Sequence, residues 1–225
     1  MDATRSHPPS SHVLRDGTEI TLREVEPDDK DALASGFDRM SPTSRYRRFF
    51  APKDKLTDAD LRYLTEVDHR DHEAVVGMGP NDEPVGVARY VRVGDERAEV
   101  AVAVVDDWQN LGAGTALLGR LTERARENGI KQFVALIMQD NAEAKDLFRS
   151  VIGDERHTAL IPGGHIEMVI DIPEKPDRDS ALARALRGAA TGGIAINPWR
   201  MLRNRIAALQ SEGASDESGE NRPPR

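Results

Sequence analysis

The chain has 225 residues, is acidic and contains no cysteine. Its formal net charge of -8 argues against broad nucleic-acid binding, which requires a dominant basic surface. Without cysteine there is no disulfide framework, no thiolate metal site and no cysteine nucleophile. No apolar run approaches the roughly 20 residues that span a bilayer, and residues 1–11 lack the apolar core of a signal peptide. We therefore expect a cytoplasmic protein without membrane contact.

The first third of the chain predicts one strand and two helices. Residues 1–17 show no periodicity and predict a flexible leader. Alternating apolar and polar residues from Thr18 onward favour a strand. A helix is expected to begin at Pro27 and to stop at Ser41-Pro42, and a second helix is expected to follow Thr57 as its N-cap.

The middle of the chain predicts a sheet with helices on it. The expected elements, in order, are strands at 74–78, 84–93 and 97–105, a helix at 112–127, a strand at 132–138, a helix at 141–151, and a closing hairpin of strands at 158–161 and 165–172. This order predicts an α/β (α+β) fold in residues 18–172: a mixed, mostly antiparallel sheet of six to seven strands flanked by helices.

Beyond Pro173 the composition shifts toward Ala, Arg, Gly, Ser and Glu. We expect residues 173–225 to form a C-terminal extension with an amphipathic helix at 198–210 and a disordered tail from Ser211. The apolar side of that helix either packs on its own domain or binds a partner or a second subunit, and the sequence leaves these alternatives open.

A glycine turn follows the strand that is expected to end at Val105. The segment Gln109-Asn110-Leu111-Gly112-Ala113-Gly114 leads into a helix, whose first N–H groups and partial positive charge favour anions. The glycines let a diphosphate approach the backbone, and Thr115 adds a hydroxyl. Leu117 holds the third glycine position of a Rossmann turn, and no Gly-Lys-Ser/Thr of a P-loop is present, so both of these are excluded. A turn that only packs a helix against a strand stays an alternative.

The pattern Gln/Arg-x-x-Gly-x-Gly/Ala between a strand and a helix resembles motif A of the GCN5-related N-acetyltransferase (GNAT) superfamily. Within that superfamily, residues 41–50 and 64–68 resemble the catalytic domain of bacterial protein-lysine acetyltransferases. The resemblance covers approximately residues 18–172 and implies a GNAT-like fold with acetyl-CoA as co-substrate. It further implies that backbone amides of the turn bind the pyrophosphate of acetyl-CoA, through Gln109, Asn110, Leu111, Gly112, Ala113, Gly114 and Thr115.

The resemblance also implies a place for the pantetheine arm of acetyl-CoA. The strand before the turn would splay from the strand at 132–138, and the arm would lie in that gap. The open strand edge at Val104 and Val105 would hydrogen-bond the amide-rich arm, much as an added strand does. Asn141 is a further candidate contact, although it serves equally well as the N-cap of the following helix.

Glu99 is the expected general base. Acyl transfer requires a neutral amine, whereas a lysine ammonium has a pKa near 10.4, and a carboxylate of raised pKa can take its proton. Family members place a catalytic glutamate on this strand, and Glu99 matches that position. Its apolar neighbours would raise its pKa by desolvation. The alternative is a solvent-facing Glu99 that pairs with Arg97 or Arg89.

Other polar residues are expected to have smaller roles. Asp106 and Asp107 are weaker candidates for the base and are expected to cap the turn. Many superfamily members use a tyrosine as general acid where Phe148 stands here, so solvent is expected to protonate the leaving thiolate. His69 and His72 lack the convergence that a metal site requires, and no metal is expected.

The sequence therefore predicts an acetyl-CoA-dependent N-acetyltransferase, with a protein lysine as the favoured acceptor. The absence of cysteine agrees with direct attack of the amine on the thioester. Two alternatives stay open. One is a small-molecule amine as the acceptor, and the other is a non-catalytic module that senses acyl-CoA and signals through the C-terminal helix.

Overall fold

The computed structural model describes residues 7–138, 158–161 and 165–172. Within these ranges eight strands form one sheet in the order β1-β2-β3-β4-β5-β6-β8-β7. The strands are β1 (Ser10–Val13), β2 (Glu19–Glu24), β3 (His72–Met78), β4 (Pro84–Gly94), β5 (Arg97–Val104), β6 (Gln132–Met138), β7 (Thr158–Ile161) and β8 (His165–Asp171). All neighbouring strands are antiparallel except β5 and β6, which run parallel. A mixed, mostly antiparallel sheet is therefore confirmed.

Helices cover both faces of this sheet. They are α1 (Lys30–Asp38), α2 (Pro42–Phe49), α3 (Asp58–Thr65) and α4 (Ala113–Glu127). The buried side of α4, with Leu117, Leu118 and Leu121, packs on one face together with alternate residues of β2, β3, β4 and β5. On the other face, α1 packs against β4 and α3, and α2 packs against β5. Hydrophobic burial on both faces gives the central strands their nearly continuous apolar sequences.

The flexible leader predicted for residues 1–17 is wrong where β1 forms, and β1 brings the strand count to eight instead of six or seven. Its residues pair with β2 from Ser10↔Leu22 to Val13↔Glu19. Val13 is 62% exposed, so backbone pairing holds this edge strand and burial contributes little. An element without a buried face leaves no apolar periodicity in the sequence.

Helix α2 begins where the sequence predicted only a stop. The Ser41 hydroxyl accepts a hydrogen bond from the Ser44 N–H at 3.1 Å, and Pro42 occupies the first helical position. Proline closes α1 because it cannot continue a helix, yet its fixed φ suits the first turn of the next one. The predicted cap of α3 is confirmed, because the Thr57 side chain accepts from the Asp60 N–H.

Several expected features lie outside the described residues. These are the helix at 141–151 with Asn141 and Phe148, the extension at 173–225 and its segment 198–210. In the described part of the chain, no helix has both the length and the apolar character needed to cross a membrane.

A buried ion-pair network joins α4 to the sheet. The Arg124 guanidinium lies 3.0 Å from Oε2 of Glu73, which is fully buried, and 3.1 Å from Oε1 of Glu24. Nδ1 of His69 lies 2.8 Å from Oε1 of Glu73, and this hydrogen bond raises the pKa of His69. Carboxylate oxygens of Glu24 and Glu73 and a ring nitrogen of His69 lie within 4.8 Å of one another. Because Arg124 pairs with both carboxylates, we interpret this network as a structural ion-pair network.

We expect Arg124→Met to lower the free energy of unfolding by about 3 kcal/mol, because it leaves the buried Glu73 carboxylate without its cation. Urea denaturation measures this. Arg120→Met is the matched control one turn earlier in α4, where the pair with the half-exposed Glu123 predicts a loss below about 1 kcal/mol. Equal losses in the two variants would contradict the importance of the buried pair.

Candidate functional site

The central feature of the candidate site is a gap between β5 and β6. The two strands pair at Arg97↔Gln132, Ala98↔Phe133 and Glu99↔Val134, and their pairing ends there. Beyond Glu99, β5 stays paired with β4 as far as Val104. Beyond Val134, β6 stays paired with β8 as far as Met138. The strands therefore diverge, as the sequence analysis expected, and Glu99 lies at the vertex of the gap.

The backbone of β5 offers hydrogen-bonding groups to this gap. The Val105 N–H donates to the C=O of Val85 in β4, and the direction of backbone groups alternates along a strand. By this alternation the N–H and C=O groups of Val102 and the N–H of Val104 point away from β4 and toward the gap. The C=O of Val104 accepts from the side chain of Gln109. The N–H of Val105 is directed to β4, and its C=O accepts from the Trp108 N–H.

A close contact between β4 and β5 helps to keep β5 on this side of the gap. A Cβ on Gly86 would lie 2.5 Å from the C=O oxygen of Ala103 and 3.1 Å from Cδ1 of Leu117. Only glycine permits the backbones to approach this closely under α4. The carboxyl-terminal half of β5 is thus held against β4 and α4.

The glycine turn lies beyond the end of β5 and leads into α4. Asn110 has φ +62° and Gly112 has φ +98°, both in the left-handed region. Gly112 is the N-cap of α4 and brings no side-chain oxygen to the N–H groups of the first turn, which runs through Ala113, Gly114 and Thr115. The N–H groups of this first turn lie at the positive end of a 15-residue helix, a position that favours an anion.

The side chain of Gln109 braces the turn from inside. Its Nε2 donates to the C=O of Val104 at 3.1 Å and to Oδ1 of Asp106 at 3.1 Å, and it lies 3.4 Å from the Ser44 hydroxyl. Asp106 also accepts from the Ser41 N–H at 3.2 Å, and Asp107 pairs with Arg39 at 3.0 Å. Asp106 therefore braces the turn through Gln109, whereas Asp107 binds Arg39, and that the two aspartates cap the turn stays a prediction.

Glu99 is buried, with 8% of its surface exposed, so it does not face solvent. Arg97 lies on the solvent side and donates to Gln132. Glu99 and Ala101 are two residues apart on one strand, and Ala101 lies opposite Arg89 in β4, so Glu99 and Arg89 share a face of the sheet. This is the face that α2 covers.

Two buried arginines place positive charge on the face that carries Glu99. Arg48 of α2 is 5% exposed and Arg89 is 2% exposed. Burial lowers the pKa of Arg48 to about 10, against the opposing attraction of Tyr63 and Glu99. Burial and the charge of Arg48 lower the pKa of Arg89 to about 9. The expected apolar surroundings of Glu99 thus also contain a cation, because the charges of Arg48 and Glu99 attract each other.

Helix α2 forms a wall over the gap. It contacts β5, and the ring of Phe50 at its C-cap lies 4.7 Å from the ring of His165, where β8 begins. Arg45, Arg48 and Lys53 form part of a basic run in the sequence, a pattern typical of a solvated surface, yet the structure holds all three against other parts of the protein. Arg45 donates to four backbone carbonyls, and Lys53 pairs with Asp60 at 2.9 Å.

His69 and His72, which the sequence analysis considered as metal ligands, contact different partners. His69 contacts Glu73, whereas Nε2 of His72 lies 3.1 Å from Arg89 and its ring lies 5.0 Å from that of Tyr63. That no metal takes part stays a prediction. The site as a whole combines a buried carboxylate, an open strand edge and a glycine turn at a helix N-terminus, which follow one another from β5 into α4.

Sequence comparisons agree with this arrangement. A sequence model described as the Acetyltransferase (GNAT) family matches residues 40–153. An acetyltransferase of Pseudomonas aeruginosa is 30% identical over 138 residues, which are 60% of this chain and 74% of that protein. Acetyltransferase Pat of Mycolicibacterium smegmatis is 38% identical over 131 residues, which are 57% of this chain and 39% of Pat. The chain thus spans well under half of that Pat.

Among solved structures, the GNAT domain of S. lividans PAT superimposes with a TM-score of 0.66 at 29% identity. The alignment covers 73% of this chain and 99% of that domain. The chain therefore shares its fold with that GNAT domain.

We expect Gly112→Ala to weaken acetyl-CoA binding and to lower stability by about 1–2 kcal/mol, because φ +98° is strained for any residue with a Cβ. Space is available, since the nearest atom to such a Cβ is 3.9 Å away, so the backbone conformation is the cause. Calorimetric titration and thermal unfolding measure both effects. Gly119→Ala, in open space within α4, is the control and should stabilise the helix. Similar behaviour of the two variants would contradict the role of Gly112.

Proposed function

This chain belongs to the GNAT acetyltransferase family and is an acetyl-CoA-dependent N-acetyltransferase, and we propose that it acetylates protein lysine side chains with Glu99 as the general base. In this proposal the glycine turn from Gln109 to Thr115 binds the pyrophosphate of acetyl-CoA. The pantetheine arm lies in the gap between β5 and β6, along the backbone groups of Val102 and Val104. Asn141, outside the described residues, remains a candidate contact to the arm.

The position of Glu99 carries the proposal. It stands on β5 at the last residue that pairs with β6, so the gap opens directly beside it. An arm that starts at the turn and follows β5 toward the vertex brings its thioester end toward this carboxylate. Burial of Glu99 keeps bulk water away, which strengthens its electrostatic interactions with a reacting amine.

The reaction is a direct transfer. The neutral lysine amine attacks the thioester carbonyl, the C–N bond forms, and the C–S bond breaks as the CoA thiolate leaves. The proton that the lysine ammonium must lose passes to Glu99, directly or through one water molecule. The nitrogen, which is cationic after the attack, releases its surplus proton to solvent as the amide forms. The thiolate takes a proton from solvent, because Phe148 stands where other family members have a tyrosine.

A protein lysine is favoured as the acceptor for two reasons. Residues 41–50 and 64–68 resemble bacterial protein-lysine acetyltransferases, and these residues include α2, which forms the wall beside Glu99. The similarity to Acetyltransferase Pat of M. smegmatis and to the GNAT domain of S. lividans PAT supports the same class. A small-molecule amine is the second candidate, because the fold itself does not select the acceptor.

We expect Glu99→Gln to lower the acetylation rate by about 10²- to 10³-fold near pH 7 while acetyl-CoA binds with unchanged affinity. Glutamine keeps the size of the side chain but cannot accept the proton. The deficit should shrink as pH rises toward the lysine pKa near 10.4, because more of the amine is then already neutral. Transfer of labelled acetyl groups to lysate proteins measures the rate, and calorimetry measures binding.

Glu96→Gln is the matched control for that variant. Glu96 lies in the exposed β4–β5 turn and pairs with Lys131, far along the strand from the gap. The Glu96→Gln variant should acetylate at the wild-type rate. A Glu99→Gln enzyme with wild-type kinetics at neutral pH would remove Glu99 from the mechanism.

We expect the pure enzyme to transfer labelled acetyl groups from acetyl-CoA to lysine residues of a protein in cell lysate, with the product located by mass spectrometry. A panel of small amines, including polyamines and aminoglycosides, serves as the parallel arm. Labelling of the panel without labelling of protein would establish the small-molecule acceptor instead. Tight binding of acetyl-CoA without transfer in either arm would favour the acyl-CoA-sensing alternative.

A further inference from the structure

Arg15 brings a positive charge to the glycine turn from a distant part of the chain. Its backbone N–H donates to the C=O of Leu111 at 2.9 Å, and its Nη1 donates to the C=O of Asn110 at 3.1 Å. A Cβ on Gly112 would lie 3.9 Å from Cγ and 4.0 Å from Nε of Arg15. The backbone and side chain of Arg15 together thus lie along three consecutive residues of the turn, up to the N-cap of α4.

The hairpin between β1 and β2 fixes this placement. Leu14 is 4% exposed and belongs to the core under α4, and its N–H donates to the C=O of Thr18 at 2.8 Å. Arg15, the next residue, is exposed. Within the part of the chain that the structure describes, its guanidinium makes the one hydrogen bond to Asn110. Since a guanidinium has five N–H donors, four of them have no partner among the described residues and are available to a ligand.

The charges around the turn make the positive charge of Arg15 important for an anionic ligand. The segment that precedes the turn contributes two acids, Asp106 and Asp107, and Arg39 pairs with Asp107. The whole chain has a formal net charge of -8. Acetyl-CoA is itself a polyanion, so its approach requires local positive charge that the overall field does not supply.

We infer that Arg15 is a phosphate-binding residue for acetyl-CoA, and that its guanidinium donates hydrogen bonds to a cofactor phosphate held beside the first turn of α4. The inference rests on the proposed cofactor site and adds a residue that motif A does not contain. A guanidinium suits this role because its planar donors match two oxygens of one phosphate. The pyrophosphate and the 3′-phosphate of CoA share this chemistry, and the experiment separates them.

The test compares wild type, Arg15→Gln and Arg15→Lys by calorimetric titration with acetyl-CoA at low and moderate ionic strength. We expect Arg15→Gln to weaken binding about tenfold, as the loss of a charge-assisted hydrogen bond implies. Arg15→Lys should retain most of the affinity because it retains the charge. Added salt should weaken the wild type more than Arg15→Gln, because screening acts on the charge that the variant lacks.

A titration with acetyl-3′-dephospho-CoA assigns the phosphate. If Arg15→Gln still binds this ligand about tenfold more weakly than the wild type, the pyrophosphate is the partner of Arg15. If the two proteins bind it equally well, the 3′-phosphate is the partner. Either result supports the inference. Arg97→Gln, an exposed arginine at the opposite end of β5, is the control and should bind like the wild type.

Two results would overturn the inference. The first is wild-type affinity in Arg15→Gln. The second is an equal loss in Arg15→Gln and Arg15→Lys with unchanged salt dependence, which would mean that Arg15 only fastens the turn through Asn110. Failure of the proposed cofactor site is distinct from both, because the wild type would then not bind acetyl-CoA at all, and failure of the acetyl transfer alone would leave these affinities unchanged.

Discussion

The divergence of β5 from β6 is the constraint on which the rest of the site depends. Neither strand is free to close the gap, since β5 remains paired with β4 to Val104 and β6 remains paired with β8 to Met138. A sheet that opens in its middle exposes backbone N–H and C=O groups that must find partners elsewhere. An extended, amide-rich ligand supplies such partners, so the same feature that weakens the sheet creates a binding site for one.

The glycine turn depends on segments far apart in the chain. Arg15 and Asn110 are separated by 95 positions, yet they are hydrogen-bonded, and Gln109 joins the turn to β5 and to α2. Such bracing matters because Asn110 and Gly112 both hold left-handed conformations, which a free loop would not maintain. These contacts hold the turn in its shape without an anion. An anion that binds there would therefore cost less conformational entropy than binding to a flexible loop.

The sequence predicted elements whose burial follows a regular pattern and missed those held by other means. The strand at 132–138 was located to the residue because it is buried on both faces, and Thr57 signalled the start of α3 through its capping chemistry. Strand β1 has no buried face, and α2 begins with the same Ser41-Pro42 that ends α1. Periodicity cannot reveal either of them, since only pairing with β2 and packing over the gap make them regular.

The sequence does not predict the charges that surround Glu99. Arg48 stands in a basic run typical of a solvated surface, but tertiary packing buries it. Arg48 and Arg89, with pKa values of about 10 and 9, both remain protonated at neutral pH. Two buried cations against one carboxylate leave this side of the gap positive. In the proposed reaction these cations stabilise the negative charge that develops on a thioester oxygen or a departing thiolate. The electrostatics of the wall formed by α2 therefore complement the same transfer that the position of Glu99 supports.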